Sequence, residues 1–257
     1  MSKIKNAFSN GKAFIGFLTA GDPCLESSVE FILEMERAGA DLIEIGIPFS
    51  DPVAEGIVIQ EASLRALSAG MTTDGVFEIA TRVREKSQIP LCFMTYLNPV
   101  FHYGYEKFFS KCGELKIDGI IIPDLPFEEK EEVSSVASRY DVDVISLIAP
   151  TSHERIRTIA KDATGFIYVV SSMGVTGMRS DITTDLGSML AAIKEAAPDT
   201  PAAIGFGINT PAQAKQYSEI ADGVIVGSAI VKIIEEHGSD AASYVYDYVK
   251  SMKDALR

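Results

Sequence analysis

At 257 residues, 47% hydrophobic and 23% charged, the chain has the length and apolar content of one large α/β domain, read here as a single domain over 1–257. A net charge of −13 argues against nucleic acid or an anionic membrane as partner, since both call for clustered Lys and Arg. Cys24, Cys92 and Cys112 are too scattered for a disulfide framework, and His102, His153 and His237 lack metal-ligand spacing, so a soluble cytoplasmic protein without a metal is expected.

In chain order, Met1 to Asn10 reads as a short leading helix and Ala13 to Leu18 as an apolar strand. Asp22-Pro23 has the form of an N-cap and first-turn proline, opening a helix that Gly39 ends. Leu42 to Ile47 is the second strand. Helices follow over Ile59 to Ala69 and Gly75 to Lys86, then a strand over Pro90 to Tyr96, a helix over Tyr105 to Leu115, and a strand over Gly119 to Ile122. Glu128 to Tyr140 is helical and Val142 to Ala149 is the fifth strand; Thr151 and Glu154 have capping-box spacing for the next helix. Phe166 to Val170 runs into a long glycine-punctuated loop, Ser171 to Ser180, before a helix over Leu186 to Ala196. Pro201 to Ile204 precedes a second capping-box signal at Thr210, Pro211 and Gln213, and Val224 to Val226 is the eighth strand. An extra amphipathic helix, Ala241 to Leu256, closes the chain. Eight βα units predict an α/β fold of the (β/α)8 barrel type, with an open doubly wound sheet as the alternative.

Within this frame Glu44 is out of place. Strand alternation puts Leu42, Glu44 and Gly46 on one face and Ile43, Ile45 and Ile47 on the other. A carboxylate in a dry interior needs a partner, water or a catalytic task. Glu55, in the Pro- and Gly-bounded loop that follows, offers a second acid, and two acids at one strand end suggest acid/base work. Barrel active sites lie at the C-terminal ends of the strands, with phosphate commonly held after strands seven and eight. Gly205, Gly207, Gly227 and Ser228 occupy those places, either as phosphate-cradling turns or as plain tight turns. Gly174 to Gly177, with Thr176, is a lid or an ordinary loop; Tyr168 points to the barrel mouth or into the core. Tyr96, Asn98 and Asp124 at other strand ends are weaker candidates. Residue chemistry alone thus reaches an enzyme for a small phosphorylated substrate, working by carboxylate acid/base catalysis.

Leu42-Ile-Glu-Ile-Gly-Ile-Pro-Phe-Ser-Asp-Pro-Val-Ala-Glu-Gly56 resembles the signature of the tryptophan synthase alpha chain family. Phe17-Leu-Thr-Ala-Gly-Asp-Pro23, Met94-Thr-Tyr-Leu-Asn-Pro99, Pro123-Asp-Leu-Pro126, Gly174-Val-Thr-Gly177, Gly205-Phe-Gly-Ile208 and Gly227-Ser-Ala-Ile-Val231 follow in family order. The resemblance implies a barrel lyase that cleaves indole-3-glycerol phosphate to indole and glyceraldehyde 3-phosphate. It needs no cofactor, and indole passes to a pyridoxal-phosphate-dependent beta chain in an alpha2-beta2 heterotetramer. Glu44 and Glu55 match the catalytic acids; Phe17, Tyr96, Tyr168 and Thr176 match substrate-binding positions; Gly177, Gly207, Gly227 and Ser228 match the phosphate site. The chain departs from the commonest pattern at Glu55, where aspartate is usual, and at Ile57, where proline is frequent. A free-standing lyase and a non-catalytic activating subunit are the alternative functions.

Overall fold

The computed structural model describes residues 3–171, 186–205 and 207–257. Strands β1 (Ala13–Thr19), β2 (Leu42–Gly46), β3 (Leu91–Met94), β4 (Gly119–Ile121), β5 (Asp143–Val144), β6 (Ser146–Ile148), β7 (Ile167–Val170), β8 (Ala202–Gly205) and β9 (Gly223–Val226) form one sheet. Their order is β5-β4-β3-β2-β1-β9-β8-β7-β6, and every pairing is parallel. The two end strands, β5 and β6, are consecutive pieces of chain separated only by Ile145, whose N–H donates to the Ile120 carbonyl at 2.9 Å. The sheet therefore closes on itself as a (β/α)8 barrel, not as an open doubly wound sheet. The expected fifth strand, Val142 to Ala149, is divided because its first half pairs with β4 and its second half with β7. Strand stagger in a closing barrel demands such a change of neighbour.

The helices are α1 (Leu25–Ala38), α2 (Ile57–Ser68), α3 (Thr73–Arg84), α4 (Leu97–Tyr103), α5 (Tyr105–Glu114), α6 (Lys130–Ala137), α7 (His153–Lys161), α8 (Leu186–Ala196), α9 (Pro211–Ser218), α10 (Ser228–His237) and α11 (Ala242–Asp254). Outward strand residues such as Ile43, Ile45, Phe93, Ile120, Val169, Ile204 and Val226 pack against their apolar faces. Inward residues Ile15, Leu42, Cys92, Ile121, Ile145, Tyr168, Ala203 and Ile225 fill the barrel. Ile4 and Ala7 join that inner cluster from below, since a Cβ on Gly119 at the start of β4 would lie 2.8 Å from Ile4. The leading segment is a 3-10 helix, Ile4–Phe8, that plugs the barrel floor.

Several local signals resolve differently from their sequence reading. Asp22 does not cap α1, which starts at Leu25 after Cys24. Its buried carboxylate instead accepts two hydrogen bonds from Arg65 of α2, at 2.9 and 2.8 Å. A bidentate guanidinium satisfies a buried carboxylate better than one N–H does. The cap of α7 is Ser152, not Thr151, accepting from the Arg155 N–H. Thr72 caps α3, and α4 occupies a stretch where no helix was expected. The capping box of Thr210 and Gln213 forms as read.

Candidate active site

Every residue of β2 is buried, and parallel register sets Glu44 level with Phe17 of β1 and Cys92 of β3 on the inner face. Among the described residues neither Glu44 Oε1 nor Oε2 has a hydrogen-bond partner, and the side chain is 0% exposed. Burial raises its pKa from 4.5 to about 8, because the charged form loses water and gains nothing in return. Glu44 is consequently an acid that holds its proton at neutral pH. Burial first, then the neighbouring Glu44 charge, pushes the Tyr168 hydroxyl well above its ordinary value.

Glu55 reaches the same cavity from the loop between β2 and α2, where Gly56 is the N-cap. The loop is held by Tyr96. Its hydroxyl accepts from the N–H groups of Val53 and Ala54, at 3.0 and 2.8 Å, and donates to Glu55 Oε2 at 2.7 Å. Gln60 Nε2 adds a bond to the Glu55 carbonyl at 2.7 Å. Burial raises the Glu55 pKa, the Tyr96 hydrogen bond opposes that, and the nearby Asp124 charge adds to it. Tyr96 itself is 2% exposed and packs on Phe49 with ring centroids 5.3 Å apart. Tyr96, expected to bind substrate, is not among the residues that line this cavity; its contacts are with the loop. Asp124 accepts from the Leu97 N–H at the start of α4, and Asn98 is exposed.

The cavity, about 560 Å³ with its open mouth included, lies between these acids and the loops after β8 and β9. Phe17, Ile59, Met94 and Ile225 give it apolar walls, and Tyr168 lines it too. Gly207, Ile208, Asn209, Gly227, Ser228 and Ala229 form the opposite side. Gly207 takes φ +81°, a left-handed conformation that favours glycine. Gly227 precedes α10, and a Cβ there would come within 3.2 Å of the Phe17 ring. The first turn of α10 leaves N–H groups without intrahelical acceptors, at the positive end of the helix dipole. No Lys or Arg lines this cavity among the described residues; the polar groups on this side are backbone N–H groups and the Ser228 hydroxyl, which suit an anion.

The structure thus brings together Glu44, Glu55, Phe17, Tyr168, Gly207, Gly227 and Ser228. Thr176 and Gly177 lie outside the described residues. Sequence reasoning missed Met94 and Ile225, which share the inward face with Cys92 and line the apolar wall; strand alternation carried the signal for Met94. It also missed Gly46 as a seat for an aromatic ring, since a Cβ on Gly46 would approach the Phe17 ring to 2.6 Å. No group of three or more His, Cys, Asp or Glu suited to a metal ion occurs among the described residues.

The family described as Tryptophan synthase alpha chain matches residues 3–257. The tryptophan synthase alpha chain of Lactiplantibacillus plantarum is 50% identical over 257 residues, covering 100% of this chain and 97% of its own. That of Lacticaseibacillus casei is 47% identical over 256 residues, covering 100% of this chain and 96% of its own. Among solved structures, a chain of the tryptophan synthase α2β2 complex from Pyrococcus furiosus superposes with TM-score 0.84 at 34% identity, covering 95% of this chain and 99% of that one.

Proposed function

Because this chain belongs to the tryptophan synthase alpha chain family, we propose that its cavity cleaves indole-3-glycerol phosphate to indole and glyceraldehyde 3-phosphate. The observation that carries this reading is Glu44: a fully buried carboxyl lining an apolar cavity, without a hydrogen-bond partner among the described residues, whose pKa burial raises to about 8. Protonating an aromatic carbon is difficult and wants a shielded acid with a negative group near the developing cation. Glu44 delivers its proton to C3 of the indole ring, and Glu55 faces the ring N–H and stabilises the positive charge. The glycerol hydroxyl on the carbon joined to the ring then gives its proton to the Glu44 carboxylate. Its O–H electrons form the aldehyde carbonyl as the carbon–carbon bond breaks, and that bond's pair restores the aromatic ring. Phe17, Met94, Ile59, Ile225 and Tyr168 enclose the indole, while the N–H groups of Gly207, Gly227 and Ser228 receive the phosphate. Thr176 and Gly177 complete the proposed site on the strength of the family motif alone.

The proposal includes a beta chain as partner, in an alpha2-beta2 assembly like that named for the Pyrococcus furiosus protein. Val53 (74% exposed), Ile57 (70%) and Phe101 (66%), on the elements after β2 and β3, offer an apolar face beside the Glu55 loop. The chain needs no cofactor in this scheme; pyridoxal phosphate belongs to the beta chain. Cytoplasmic placement is part of the same reading, supported by three free cysteines; no helix among the described residues is long and apolar enough to cross a membrane. The test is indole release from indole-3-glycerol phosphate by the purified chain, with and without a beta chain. Slow turnover that rises with the partner is expected. Fast turnover indifferent to the partner points to a free-standing lyase, and no indole under either condition overturns the proposal.

A further inference from the structure

Helix α11 buries Val245, Val249 and Met252, at helical spacing, against the barrel's outer layer. Lys253 near its end is tied to the Asp41 carboxylate at 2.6 Å and to the Lys12 carbonyl at 2.9 Å, so the helix is anchored independently of the cavity. One turn earlier, the half-buried Tyr248 donates its hydroxyl to the Asn209 carbonyl at 2.9 Å. The N–H of that same residue donates to Gln213 Oε1 at 3.0 Å, within the α9 capping box. Asn209 Nδ2 reaches back to the Gly207 carbonyl at 3.4 Å, and Ile208 between them is buried. The cavity-lining turn Gly207 to Asn209 is thus clamped at its outer end on both backbone groups. One clamp is local, from α9, and the other comes from 39 residues away.

We propose that Tyr248 is a positioning residue for anion binding: it uses α11 as a fixed post to hold the Gly207 to Asn209 turn in its anion-receiving shape. The inference rests on reading this turn as part of the phosphate site. A turn with a left-handed glycine samples several shapes when untied, and each shape lost from the receptive one weakens binding by that fraction. The effect falls on substrate capture. It leaves the carboxylates, on the opposite wall, untouched.

The experiment is calorimetric binding of glycerol 3-phosphate, with steady-state kinetics on indole-3-glycerol phosphate, for the full chain as wild type, Tyr248→Phe and Tyr217→Phe. Loss of one hydrogen bond predicts a Kd and a KM each raised about fivefold in Tyr248→Phe. A kcat within about twofold of wild type is expected alongside, the signature of lost binding rather than lost chemistry. Tyr217→Phe, a ring-preserving change on α9, serves as the structural control and is expected to leave Kd unmoved. Gln213→Ala, which frees the other clamp, is expected to raise the same Kd and guards against a Tyr248 variant that fails to fold. An unchanged Kd in Tyr248→Phe, an equal shift in Tyr217→Phe, or a fall in kcat at constant KM overturns the proposal. Failure of the wild type to bind glycerol 3-phosphate while still releasing indole overturns the phosphate reading beneath it, which is a distinguishable result.

Discussion

Glu44 and Glu55 bring the same functional group to one cavity by opposite routes. Glu44 rides a strand laced into the barrel on both sides, so the β-ladder sets its position and the dry interior sets its protonation. Glu55 rides a loop, and the hydroxyl of Tyr96 sets its position while also opposing the effect of burial on its charge. Identical side chains thus meet different environments: among the described residues Glu44 has no hydrogen-bond partner and burial alone raises its pKa, whereas at Glu55 the Tyr96 hydrogen bond opposes the effect of burial.

The largest effect is expected from removing the proton source. Glu44→Gln should lower indole release by about 10²- to 10⁴-fold, the usual worth of a general acid. The same change should stabilise the fold. Between pH 4.5 and about 8 the unfolded chain has lost the Glu44 proton while the folded chain keeps it, so wild-type stability falls as pH rises through that window. At pH 7 the gain in Glu44→Gln is on the order of 3 kcal/mol by chemical denaturation, absent near pH 4. A destabilised Gln variant would mean that the carboxyl has a partner.

Glu55 is expected to tolerate only a conservative change. Glu55→Ala should reduce kcat/KM by about 10²-fold through loss of the charge opposite the developing cation. Glu55→Asp should stay within about tenfold if the loop adjusts, since a shift of one methylene is the main cost. Equal losses in Asp and Ala would show that the Tyr96 contact demands the longer side chain. Tyr96→Phe should cost about tenfold in kcat/KM, because two loop N–H groups lose their acceptor and Glu55 its donor. If Tyr96→Phe equals wild type in rate, the loop is held by something else.

The mildest perturbation is pH itself. Glu44 must start protonated, so kcat/KM of the free enzyme is expected to be halved at about pH 8 and to fall further above it. A profile flat to pH 10 would separate the acid from Glu44.

Much of this comparison is legible before any folding is considered. Alternation along Leu42 to Gly46 already sends Glu44 inward, since a strand's period of two is a property of the backbone. Glu55's standing in the cavity was less legible: its loop has no period, and Tyr96, which places it, lies 41 residues away. Asp22 followed by Pro23 reads as a helix start, yet Arg65, 43 residues on, claims its carboxylate. The Ser228 end of α10 was readable from a glycine after an apolar run, whereas the Phe17 ring beside Gly227 was not.

By itself, the sequence determined the succession of strands and helices, the inward acid, the glycines at two strand ends, and the family. These follow from backbone periods, turn chemistry and ordered motifs, which are local to the chain. Tertiary structure alone decided that the fifth strand divides to close the barrel and that Asp22 pairs with Arg65 rather than capping a helix. It also decided that Tyr96 bonds the Glu55 carboxylate and that Tyr248 bonds the Asn209 carbonyl. Those outcomes depend on which distant groups closure brings within 3 Å or so of one another, and no local pattern encodes that distance.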